Sequence, residues 1–455
     1  MDTESLTMPR RIRPAGDHDA REAPRRAAEL ARLRDRRHVW HTWSPVAADR
    51  GRLMISHGYG YRVQDMDGKE YIDAKSLNTT CGYGHPDVER AVRGQLRTLH
   101  QFDISTAGHE LAGLLAERIA SYLPGMPAKT LFVNSGSEGF EAAVLIAASY
   151  WSQRGAPRSR IVSFADGYQG ATLTSRSLSG LPRVRHPFRP PLPVTHVRLP
   201  AAPRELRRAE SLPPLLAAFE RAIGTDPDDL PMAVVVEPLL NVGGGVVLPP
   251  GFLRALRGLC DATGTLLILD EVFTGYGRTG RMFACGHEDV LPDILVSSKG
   301  LSGGYVPIGA VTVREEIYDS FRDEPDIGGL RYGHTTSGHP VACAAALATL
   351  DVVEKEDLVD RAGRLGALML DRLSPLAGTG EVVDVRGLGL VVVLEMSGGE
   401  AAELVLARAE DMGLLLRRQG ARGQAVLVVP PMTIDDEGAA AIIERVEQSV
   451  AAATS

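Results

Sequence analysis

An α/β fold, with a mostly parallel sheet covered by helices on both faces and a smaller α+β domain beside it, is what this 455-residue sequence predicts. Two observations carry that expectation. Between about Pro86 and Val341 short apolar strands alternate with helical segments, and after about Ala342 the pattern changes to a long helix followed by strands with helices between them. Composition agrees, because 44% hydrophobic and 24% charged residues is the balance of a globular enzyme long enough for a large core and a satellite.

Met1 to about Arg37 is arginine-rich and broken by Pro9, Pro14 and Pro24. Interspersed acids and missing aromatics predict a solvated, disordered tail over 1–37, with a short helix from about Arg25 to Arg37, rather than a nucleic-acid or membrane arm. The ordered body begins near His38–Pro45. Strands follow at Thr130 to Asn134, Ile161 to Phe164, Met232 to Glu237, Leu266 to Asp270, Ile294 to Ser297 and Ala310 to Val313, then at Val382 to Val385, Leu390 to Glu395 and Ala425 to Val429. The proline-rich stretch His186–Pro193 reads as a surface loop.

Several function classes drop out. A formal charge of -7 argues against a nucleic-acid partner. No apolar run approaches the roughly 20 residues that span a bilayer, and the N-terminus lacks the apolar core of a secretion signal. Cys81, Cys260, Cys285 and Cys343 have neither metal-ligand nor disulfide spacing, so no metal is expected and a reducing cytoplasm is the expected location.

The stretch from Leu266 to Leu301 carries the chemistry. One apolar strand delivers Asp270 at its end, a glycine-rich turn follows, and Asp293–Val296 leads to Lys299. Lysine is scarce here: Lys69, Lys75, Lys129, Lys299 and Lys355 are the only ones, so a lysine at a strand end is not filler. A buried carboxylate and a lone lysine are the pair a pyridoxal phosphate enzyme needs, the amine to condense with the cofactor aldehyde and the carboxylate to keep the ring nitrogen protonated. Gly275–Gly280 also satisfies G-x-G-x-x-G, but a dinucleotide fold would begin with that motif, and here about 260 residues of alternating structure precede it. Upstream, Asn134–Gly139 follows a strand and opens a helix. Its turn is either an anion site built on free amides or a capping box, since Ser135 and Glu138 fit S-x-x-E.

With Gly275–Arg281 and Gly303–Ala310, the Leu266–Leu301 stretch closely resembles the signature of class III aminotransferases, the ornithine or omega-aminotransferase group. The resemblance implies a fold-type I transferase that uses pyridoxal 5′-phosphate, with a PLP-binding domain over 86–341 and a discontinuous small domain from 38–85 and 342–455. It implies that Lys299 and Asp270 are catalytic, and that the loop of Ser135, Gly136 and Ser137 holds the cofactor phosphate. Tyr168, in Gly167–Gly170, would cover one ring face and Val272 the other, while Glu237, before Pro238, would be architectural at the cofactor's edge. Thr335, in Tyr332–Pro340, would reach a partner's phosphate, which implies a homodimer with shared sites.

Departures narrow the substrate. Gln169 stands where the family has histidine, Phe273 where glutamine is frequent, and His334 where an apolar aromatic is common. The ornithine branch grips its substrate with an arginine shortly before Pro430–Pro431, and Leu427 holds that place. Gly413–Arg417 instead resembles the omega-amine and diaminopelargonate branch, which makes Arg417 the carboxylate anchor, with Arg418 as its rival. Trp43 and Leu77 complete the substrate-pocket set, with Lys75 near its mouth. The expected activity is ping-pong transfer of an amino group between an omega-amine-like amine or amino acid, of specialised metabolism, and a keto acid, aldehyde or ketone. Aminomutase, epimerase or decarboxylase chemistry on the same scaffold, and a non-catalytic scaffold, are the alternatives.

Overall fold

Strand runs such as Ala-Val-Val-Val and Leu-Leu-Ile-Leu-Asp carry no polar alternation, the signature of strands buried on both faces. In the computed structural model, which describes residues 19–46 and 52–454, they form a seven-stranded sheet. Its strands are β1 (Ala128–Val133), β2 (Ile161–Phe164), β3 (Val194–Val197), β4 (Ala233–Val236), β5 (Leu266–Asp270), β6 (Ile294–Ser297) and β7 (Gly309–Arg314), in the spatial order β1-β7-β6-β5-β4-β2-β3. β7 is antiparallel to both its neighbours, and the other pairings are parallel. Alternate residues feed different cores. Val234, Val236, Leu267, Leu269 and Leu295 join one apolar cluster, and Ala233, Val235, Leu266, Ile268 and Ile294 join another with the Gly136–Gln153 helix.

A second sheet of Val382–Gly387, Val392–Met396, Ala425–Val428 and Arg417–Gln419 packs one face, through Val392, Leu394, Val426 and Val428, against helices Leu358–Leu373, Gly399–Asp411 and Asp436–Thr454. Its other face, Val391, Val393, Ala425, Leu427 and Val429, meets Leu239, Phe273 and Leu77. Arg386 is the largest fully buried side chain among the described residues. It donates to Asp384 at 2.9 Å, to Glu395, and to the carbonyls of Gly244 at 2.7 Å and Gly245 at 3.0 Å, so its charge is matched by carboxylates and its donors by acceptors.

The chain divides into two compact units, Met1–Gly58 with Arg62–Tyr71, and Tyr59–Tyr61 with Ile72–Ser455. This differs from expected boundaries at 37, 85 and 341, because both sheets with their helices fall in one unit. Within the first unit, Asp19–His38 is a helix, longer than the segment expected at Arg25–Arg37, so the disordered tail expected over 1–37 does not extend across 19–37. Residues 1–18 of that tail lie outside the described residues. Within these two sheets, the strands Val194–Val197 and Arg417–Gln419 were not expected from the sequence. Among the described residues no helix is long and apolar enough to cross a membrane, and no cluster of His, Cys, Asp or Glu could hold a metal.

Candidate active site

The carboxyl ends of parallel strands converge where a doubly wound sheet binds its ligands. Asn134–Ser137 follows β1, Asp166–Gly170 follows β2, Glu237 follows β4, Asp270–Phe273 ends β5 and Lys299 follows β6. Lys299, Asp270, Glu237, Tyr168 and Arg417 are close enough to perturb one another's charge.

No hydrogen bond or ion pair engages the Lys299 amine among the described residues. Burial holds its pKa below the ordinary lysine value; Asp270 and Glu237 oppose that shift and Arg417 adds to it. A buried amine kept toward neutrality is a nucleophile and a proton carrier. The ring of Phe273 lies 5.7 Å from it. Asp270 is 5% exposed, and its carboxyl is raised by burial, with Lys299 and the Val272 amide at 3.0 Å pulling it back. That amide engages Oδ1 and leaves Oδ2 to the site. Burial and then the charge of Asp270 raise the Glu237 carboxyl. Glu237 accepts from the amides of Tyr168 at 2.8 Å and Asn241 at 3.1 Å, which pins the Tyr168 loop to β4.

Ser135 caps the Gly136–Gln153 helix, its hydroxyl accepting from the Glu138 amide at 3.2 Å. Glu138 reaches back one residue further than a capping box would, to the Asn134 amide at 2.8 Å. The cap therefore leaves the Gly136 and Ser137 amides without an acceptor among the described residues, at the positive end of the helix. A Cβ on Gly136 would stand 2.8 Å from Val272, and one on Gly170, at φ +141°, would stand 2.4 Å from the Ser137 hydroxyl, so both loops close tightly. Free amides, an unpaired lysine amine and a buried carboxylate with one open oxygen fit a flat cofactor bearing a phosphate, an aldehyde and a basic ring nitrogen.

Arg417 and Arg418 separate cleanly. Arg418 is exposed and pairs with Glu403. Arg417 lies directly opposite Leu427 in register, on the face that meets Phe273 and Leu77, and no hydrogen bond or ion pair engages it among the described residues. Burial, then Arg183, lowers its pKa. Leu77 packs on that apolar cluster, Lys75 is exposed, and Thr335 is exposed with its carbonyl accepting from Gln101 at 2.6 Å. Trp43 belongs to the first unit, where it is mostly exposed with φ +57°.

Sequence reasoning missed two arginines. Arg183 binds the carbonyls of Val242 at 3.0 Å and Gly420 at 3.2 Å and the Gln419 side chain at 3.1 Å, two residues along the strand from Arg417. Arg278 is buried and donates to the Pro430 carbonyl at 2.6 Å, so the glycine-rich turn clamps the strand end beside Leu427. Its signal was an arginine inside a turn of buried glycines; Arg183, in an irregular loop, left none.

The protein-family model for class III aminotransferases matches residues 44–450. An adenosylmethionine-8-amino-7-oxononanoate aminotransferase of Geobacter sulfurreducens is 31% identical over 442 residues, covering 91% of this chain and 96% of the relative. An omega-aminotransferase of Caulobacter vibrioides is 33% identical over 425 residues, covering 89% and 96%. The PLP-bound structure of an amine transaminase from an uncultivated Pseudomonas species superposes with a TM-score of 0.85 at 30% identity, over 91% of this chain and 98% of that one. Half-buried lysine, buried aspartate and open helix terminus thus stand in a chain whose match runs nearly end to end: it belongs to the class III aminotransferases.

Proposed function

We propose that this pyridoxal phosphate-dependent transaminase exchanges the amino group of an omega-amine-like donor with a carbonyl partner bearing a carboxylate, and that Arg417 anchors that carboxylate. The observation behind this is the unpaired Arg417 guanidinium beside Lys299 on an otherwise apolar face. Leu427 occupies the alternative arginine position directly across the strand pair, so the anchor is aimed from one strand rather than its neighbour. The names of the Geobacter and Caulobacter relatives support an amine-centred substrate.

Bound cofactor supplies an aldehyde for amine exchange and an electron-accepting ring. Lys299 would hold it and move the proton at the substrate carbon through Nζ. Asp270 would keep its ring nitrogen protonated, the amides of Gly136 and Ser137 with Ser135 would take the phosphate, and Tyr168 and Val272 would flank the ring. Glu237 would position Tyr168. Leu77 would shape the substrate pocket.

The chain would act in the cytoplasm as a homodimer, with Thr335 reaching the partner's phosphate; the exposure of Thr335 supports that reading. A half-reaction screen tests the substrate: yellow holoenzyme mixed with amine panels, without acceptor, should convert to the pyridoxamine form with omega-amines. Conversion by ornithine-type amino acids alone would contradict it. Light scattering should return a dimer, and a fully active monomer would remove the shared-site reading.

A further inference from the structure

Asp270 and Glu237 stand at the same level on neighbouring parallel strands. Leu269 pairs with Val236 in register, so the next residue on each strand comes side by side. Adjacent strands run about 4.8 Å apart, and residues at one level project to one face. Each carboxylate residue is 5% exposed. Two buried carboxylates at that spacing do not both ionise unless two positive charges match them. The groups facing them from the surrounding elements are Lys299 from beyond β6, Glu271 just past the end of β5 and Tyr168 from the loop after β2. Lys299 is the one cation among these, and Arg417 drives it further toward neutrality.

A second observation bears on which carboxyl holds the proton. The Gln169 side-chain carbonyl is buried with no donor, while its amide nitrogen reaches Glu237 only at 3.5 Å. Turned over, that amide presents the carbonyl to a Glu237 O–H, and the orphaned acceptor gains its donor. The amides of Tyr168 and Asn241 can still donate to Glu237. Glutamine does not titrate, so it accepts this proton's hydrogen bond without removing the proton.

We propose that Asp270 and Glu237 share a single proton that resides on Glu237, which makes Glu237 a positioning residue that leaves Asp270 as the charged carboxylate of the pair. The proposal rests on the reading that Asp270 serves the cofactor.

Infrared spectra of the holoenzyme carrying carbon-13 carboxyl glutamate test it. A protonated-carboxyl band that shifts with the label should be present at neutral pH and be lost in Glu237→Gln, which keeps a carbonyl acceptor in place; this comparison separates it from buried Glu271. Asp270→Asn removes the neighbouring charge and should move the band's disappearance to lower pH by about one unit or more. A band indifferent to Glu237→Gln, a band that follows aspartate labelling, or an unchanged midpoint in Asp270→Asn would each overturn the proposal. If Glu237→Gln fails to fold, Gln169→Leu gives an independent reading: losing the acceptor should raise the band's frequency, and an unmoved frequency sinks the idea. A borohydride label found away from Lys299 would instead overturn the site reading, and with it the assignment of the charge to Asp270.

Discussion

Two regions face each other across the site, and they are built on opposite principles. At the carboxyl ends of the large sheet, Asp270 and Glu237 are buried and Lys299 half-buried, and their pKa values are displaced from the ordinary ones by desolvation and by each other. Across from them, the second sheet presents Leu427, Val429, Val391 and Val393 with Phe273 and Leu77, and sets a single guanidinium, Arg417, at the margin. The first region concentrates electrostatic strain on strand ends that seven-stranded pairing holds rigid, which suits chemistry shared by every substrate. The second offers apolar surface and one charge, which suits discrimination. Substitutions in the first should therefore damage all substrates alike, and substitutions in the second should damage them selectively.

Lys299→Ala is the severest test of the first half of that contrast. Turnover should fall by on the order of 10³-fold or more with every donor, because a positioned acid and base alone contributes ~10² to 10⁴, and the covalent anchor disappears as well. Borohydride reduction of the parent holoenzyme and peptide mapping should place the label on Lys299; a label on Lys75 or Lys129 would move the site. Asp270→Asn should come next. Each unit by which the carboxylate raises the ring nitrogen is about 1.4 kcal/mol, so turnover should drop more than about tenfold for all substrates while circular dichroism stays native. A smaller drop, or one confined to certain substrates, would erase the distinction between the regions.

Arg417→Ala sharpens the other half. A charge-assisted hydrogen bond is worth about 1.5 to 3 kcal/mol, so kcat/KM for a carboxylate-bearing partner should fall by that amount and for a simple amine far less. Equal losses would make Arg417 part of the common machinery and return Arg418, Lys75 or a partner-chain arginine to consideration.

The smallest expected effect is on stability. Asp270, Glu237 and Glu271 all have carboxyls raised by burial. The native state then holds protons that the unfolded chain has released, so their stabilisation is complete below the ordinary carboxylate value near about pH 4 and is lost as pH rises through the raised values. Glu237→Gln removes the group that holds the shared proton. Its unfolding free energy, measured by denaturant titration across that window, should fall less steeply than the parent's, by up to about 1.4 kcal/mol per pH unit. Parallel curves would show that Glu237 is not proton-loaded in the fold.

The same contrast governs what could be read in advance. Leu266–Asp270 and Ile294–Ser297 were legible to the residue, because strands buried on both faces write themselves as unbroken apolar runs ending in the residues of interest. Val194–Val197 escaped, since it carries His196 at its centre and follows a run of prolines. Arg417–Gln419 escaped because Arg-Arg-Gln has no strand signature; its conformation comes from pairing with Ala425–Leu427. Arg417 itself was found only through family resemblance, and its separation from Arg418 came from the strand's alternation.

By itself the sequence determined the α/β class, the strand ends that carry Asp270 and Lys299, and the helix-opening loop at Ser135–Ser137, because each is a local pattern within a dozen residues. Tertiary structure decided what lies beside what: Glu237 level with Asp270, Arg278 on Pro430, Arg386 between Asp384, Glu395 and the Gly244–Gly245 turn, and Arg417 opposite Leu427. Those neighbours are set by strand register and by burial of groups far apart in the chain, and the field a charge feels depends on its neighbours rather than on its place in the sequence.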